Sequence, residues 1–147
     1  MEATEVVPNL APNVFDLSSL DVVRCANDGV AIDILHPVTK EPLGITITVL
    51  GADSAAFKKL ATDQSRRRLA KMEKQGGFKP SAVTQDERDE DAIELLAACT
   101  KAWSNVVLDG ATPVCNRDNA MNLYERLPWL REQIDAAIGD RANFIKG

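Results

Sequence analysis

The sequence predicts an α+β fold, an N-terminal antiparallel β-hairpin followed by about four helices. Three observations carry it. Two runs of β-branched residues between positions 30 and 50 alternate with period two. From Asp53 onward the apolar spacing changes to that of a helix. Thr84, Asn116 and Pro128 each stand where a helix start wants a capping side chain or a first-turn proline. A chain of 147 residues suits one domain with one core. Residues 1–15 read as an irregular arm, 16–52 as a β part and 53–147 as a helical part.

The arm holds Pro8, Asn9, Pro12 and Asn13 and shows no period. Residues 16–26 stay open between a short turn and a strand. Val30, Ile32 and Ile34 alternate with Ala31, Asp33 and Leu35, and Ile45, Ile47 and Val49 face away from Thr46 and Thr48. The polar stretch from Pro37 to Pro42 is short enough for a hairpin loop. Two strands are marginal alone, so a third strand near Leu20 to Cys25, a helix or a neighbouring subunit must cover the apolar face.

Asp53 and Ser54 can cap a helix running to Gln75, where Gly76-Gly77 stops it. Lys58, Lys59, Arg66, Arg67, Arg68, Lys71 and Lys74 load this helix with cations against Asp63 and Glu73 alone. Its apolar stripe is thin, so most of it should be solvated or lie against an acidic partner. Residues Phe78 to Ser81 read as a linker. Thr84 to Glu87 then has capping-box spacing, with Glu87 reaching back to the cap. Asp86, Glu87, Asp89, Glu90 and Asp91 crowd the start of that helix, where its dipole favours negative charge. From Ala92 to Trp103 it is apolar nearly all round and should be the most buried element. A turn or short extended segment around Val106 to Leu108 follows. A third helix from Arg117 to Leu127 and a fourth from Pro128 to about Phe144 complete the chain. Trp103 and Trp129 are read as core anchors.

Composition narrows the function. The net charge is −5, and no apolar run approaches the length of a membrane span. The acidic start Met1 to Glu5 lacks the layout of a secretory signal. These point to a small soluble cytosolic domain. Cys25, Cys99 and Cys115 are odd in number and form no C-x-x-C pair, so a disulfide framework is not expected. With His36 the only imidazole, neither a zinc site nor a nucleophile–base pair has its ligands. No phosphate-loop, dinucleotide or hydrolase-elbow motif occurs. Neither enzymatic activity nor a cofactor is expected.

The basic helix over 58–74 remains the candidate binding element, with Lys58, Lys59, Arg66, Arg67, Lys71 and Lys74 as its partner-binding residues. Clustered cations suit phosphate, but no aromatic side chains interleave for base stacking and the chain is acidic overall. Protein contact is therefore preferred. The basic helix and the following acidic stretch could also fold back on each other, or act on different subunits.

Several segments resemble small tail proteins of tailed bacteriophages. They are Trp103-Ser104-Asn105, Pro113 to Asn116, Asn119-Ala120, Leu123-Tyr124, Pro128 to Ile134 and Asp140 to Phe144. His36-Pro37, Gly44 to Ile47 and Gly51 to Ser54 belong to the same set. The family they are most similar to is the tail assembly chaperones of long-tailed, siphovirus-type phages. The resemblance spans residues of about 20–144, and none of its motifs is catalytic. It implies a non-enzymatic late protein of the host cell cytoplasm that binds the tape measure protein while the tail tube protein polymerises around it. It also implies, in many members, a second form made by frameshifting. Two other readings compete: a structural or connector component that stays in the virion, and a nucleic-acid-binding regulator using the basic helix. A homo-oligomer fits any of the three.

Overall fold

A computed structural model describes residues 14–74 and 84–145. Most of the proposed arm, the Gly76-Gly77 stop and the Phe78 to Ser81 linker lie outside the described residues. A 3-10 turn (Leu17–Leu20) leads into α1 (Val22–Asp28), β1 (Val30–Leu35), β2 (Pro42–Val49), α2 (Ala55–Lys74) and α3 (Gln85–Ala98). Then follow β3 (Thr100–Ser104), α4 (Arg117–Arg126), α5 (Pro128–Gly139) and a 3-10 turn (Arg141–Phe144). Among the described residues the architecture is α+β, a three-stranded antiparallel sheet in the order β1-β2-β3 with five α-helices.

The hairpin forms as the alternation predicts. Val30 pairs with Val49 and Ile32 with Ile47, while Ile34, Ile47 and Val49 are buried. Thr46 and Thr48 stay on the other face, aligned with Ser104 and Ala102 of β3. In the connecting loop the His36 Nδ1 accepts hydrogen bonds from the backbone N–H groups of Val38 and Thr39. The imidazole thus shapes the turn.

The third strand comes from a different place than the sequence suggests. Residues 17–20 and 22–28 are helical because Asp16 and Asp21 cap them: Asp16 accepts from the Ser18 N–H and Asp21 from the Arg24 N–H. Gly29, at φ 89°, then turns the chain directly into β1. The strand that completes the sheet is β3, within the stretch read as the end of the buried helix. That helix stops at Cys99, and the Thr100 hydroxyl donates to the Leu96 carbonyl at 2.9 Å. Beyond it Trp103 pairs with Ile47 across the sheet. A short apolar run fits a buried helix or a strand equally well, and here the open edge of β2 decides.

α3 is consequently less central than its composition suggests. It buries Ile93, Leu96 and Ala97, whereas α5 buries Leu130, Ile134, Ala137 and Ile138. All of these but Ala137 join Ala120, Leu123 and Tyr124 of α4 in one core with Ile34, Ile47 and Val49 of the sheet. Tyr124, fully buried, shares a hydrogen bond of 2.6 Å with Thr100. Trp103 and Trp129 are half-buried at the edge of this core, and Trp103 donates from Nε1 to the Pro113 carbonyl. α5 ends at Gly139, earlier than its apolar pattern suggests. Asp140 caps the final turn, which swings Phe144 back into the core beside Gly51 and Ala26.

The exposed edge of β1 is closed by a side chain. Gln133 of α5 accepts from the Leu35 N–H at 3.0 Å and donates to the Leu35 carbonyl at 2.8 Å. An amide placed this way imitates one rung of a strand and blunts an edge that could otherwise template association.

Candidate functional site

Local sequence sets α2 in place at its N-terminus. Ser54 caps it, its Oγ accepting from the Phe57 N–H at 3.2 Å, and Asn27 of α1 accepts from the Ala55 N–H at 2.8 Å. Asp53, the other expected cap, is taken instead by a bidentate Arg141, which holds its carboxyl below the ordinary range. Phe57 packs against the core.

Further along, the seam between α2 and α3 turns polar. Gln64, only 3% exposed, donates from Nε2 to the Asp91 carbonyl and to Glu94 Oε1. Arg67 meets Glu94 at 2.6 Å, Arg68 meets Asp91 at 3.1 Å and Lys71 meets Glu87 at 2.6 Å. Arg117, at the start of α4, reaches Glu94 from the other side at 3.1 Å. Burial pushes the Glu94 carboxyl up, but hydrogen bonds from Gln64 and Arg67, with the charges of Arg67 and Arg117, outweigh it. The group sits below the usual carboxylate range. Thr84 caps α3 as expected, accepting from the Glu87 N–H, but the Glu87 carboxylate holds Lys71.

The candidate cations therefore fall into two sets. Arg67 and Lys71 face α3 and are engaged by its carboxylates, so the foldback of basic helix on acidic stretch is what forms. Lys58, Lys59, Arg66 and Lys74 make no ion pair among the described residues. Of the six, Arg67 and Lys71 are the two held by α3 carboxylates.

A second feature lay outside the sequence reading. An apolar cavity of about 170 Å³ opens between the hairpin, the loop after β3, and the α4–α5 corner. Ile45, Ile47, Leu108, Leu123, Leu127 and Trp129 are among its lining side chains. Leu43, 40% exposed, and Val107, 60% exposed, stand at it as well. A cavity with almost no polar lining suits the burial of a hydrophobic side chain from a partner. Its residues come from four separate segments, so no local motif could announce it.

Cys99 is buried, which pushes its thiol up to about 11, far from the thiolate needed for nucleophilic work. Burial also raises Cys115. Among the described residues no three His, Cys, Asp or Glu side chains gather as metal ligands, and no helix is long and apolar enough to cross a membrane. Comparison of the chain with family models, with curated proteins and with solved structures returned no match.

Proposed function

We propose that this chain is a non-enzymatic binding protein of phage tail assembly. In this reading it is a tail assembly chaperone that captures an apolar segment of the tape measure protein in the host cytoplasm, before the tail tube closes around it. The apolar cavity carries the reading. Three of the nine segments that resemble tail chaperones contribute to it: Ile45 and Ile47 from one, Leu123 from another, Trp129 and Leu130 from a third. Capture of a hydrophobic side chain in a preformed cavity releases water and needs no chemistry.

The nucleic-acid alternative is the weaker one because the chain carries a net charge of −5 and no aromatic side chain interleaves with the cations of α2 for base stacking. A connector that remains in the virion would use the same cavity, and only its fate differs.

Co-expression with the tape measure protein tests the reading. Wild type should keep that partner soluble, and Leu43→Asp with Val107→Asp, which places charge at the cavity, should not. A partner equally soluble with both rules the cavity out as the capture site. Stoichiometric amounts of this chain in purified virions would instead favour the connector.

A further inference from the structure

α2 is fastened in two different ways along its length. Its first turns are anchored by the Ser54 cap, the Asn27 contact and Phe57. After Gln64 no side chain of α2 is fully buried, and Leu69 is 60% exposed. What holds this distal half is charge: Arg67 to Glu94, Arg68 to Asp91 and Lys71 to Glu87. Pairs at such partly exposed positions are weak one by one and screened by salt.

The acceptors have a pattern. Glu87, Asp91 and Glu94 stand at i, i+4 and i+7, on one face of α3. In an opened state Glu94 would keep Arg117, while Glu87 and Asp91 would turn to water. The Ser54 cap, the Asn27 contact and Phe57 lie outside the distal half and would not have to break.

We propose that the cationic inner face of distal α2, formed by Gln64, Arg67, Arg68 and Lys71, is a docking site for an acidic helix of a partner protein. That helix carries carboxylates at the spacing α3 displays, and α3 occupies the site in the isolated chain as an internal competitor. The partner binds only the fraction of molecules in which α2 has left α3, so its apparent affinity is the intrinsic one reduced by that fraction. The inference does not depend on the apolar cavity or on a role in phage tails.

Two measurements on the full chain test it. The first is amide hydrogen exchange at about 50 mM and about 1 M salt, where the screening length falls severalfold. Exchange across residues 65–74 should accelerate about tenfold at high salt, with α4 and α5 unchanged. The second uses an alanine-based helical peptide with Glu at i, i+4 and i+7, and a twin with Gln at those positions. At low salt the Glu peptide should bind the variant Glu87→Gln, Asp91→Asn, Glu94→Gln about tenfold more tightly than wild type, because the competitor is gone. The Gln twin should bind neither, and Arg67→Gln, Arg68→Gln, Lys71→Gln should lose binding. Salt-independent protection of 65–74, equal affinity for wild type and the carboxylate variant, or capture of the Gln twin would each overturn the proposal. Should the triple carboxylate variant fail to fold, the salt experiment on wild type decides alone.

Discussion

A Cβ built on Gly51 would lie 2.9 Å from the Ala26 Cβ and 3.1 Å from the Phe144 ring. The chain needs glycine there because α1, the β2–α2 connection and the last turn meet at that point, with the Gly51 N–H donating to the Ala26 carbonyl. Gly51→Ala should cost about 1–3 kcal/mol through overpacking, read as a lowered denaturant midpoint at unchanged slope. Ala26→Gly in the same chain should restore part of the loss. Leu96, 3% exposed beneath the sheet, gives the opposite kind of test. Truncation to alanine leaves a void, and Leu96→Ala should destabilise by about 2–5 kcal/mol in denaturant titration. A loss below about 1 kcal/mol would mean that α3 lies outside the core. The sequence marked Leu96 as core through its apolar neighbours. It could not mark Gly51, whose constraint comes from residues 25 and 93 positions away.

At the scale of the element, α2 should respond to acid before the rest of the fold does. The Glu94 carboxyl is depressed in the folded chain, so it contributes stability above the ordinary carboxylate value of 4.5. That contribution is lost as pH falls through the lower folded value. Asp53 beside Arg141 and Asp109 beside Arg126 carry the same sign. Carbon chemical shifts of residues 65–74 should therefore move toward coil below about pH 4, ahead of those of α4 and α5. Glu94→Gln should remove much of that pH dependence. A simultaneous loss of all helices would show that the α2–α3 seam has no separate stability. The legibility of the elements varied for a physical reason. Capping residues act locally, so Thr84, Asn116 and Pro128 located their helices directly. The end of α3 depends on a pairing with β2 about 50 residues earlier, so no local pattern could place it.

For the whole molecule, folding and the proposed capture can be separated only at the exposed side chains of the apolar cavity, Leu43 and Val107, because Ile34, Ile47, Leu123 and Leu130 in its lining also belong to the core. Val107 is exposed in a loop, so Val107→Asp should change unfolding free energy by no more than about 0.5 kcal/mol while abolishing capture of an apolar partner segment. A large loss of stability would instead assign Val107 to the core. The sequence by itself determined the hairpin, because period-two β-branched alternation has one pleated solution when one face must be buried. It also determined the starts of α2 to α5 and the choice between two fates for the cations, since opposite charges in consecutive helices either pair or seek a partner. Only the tertiary structure decided between those fates, by laying α2 antiparallel against the acidic face of α3. It alone made β3 a strand and built a cavity from four segments, because long-range pairing and packing override local propensity wherever a short apolar run has two acceptable conformations.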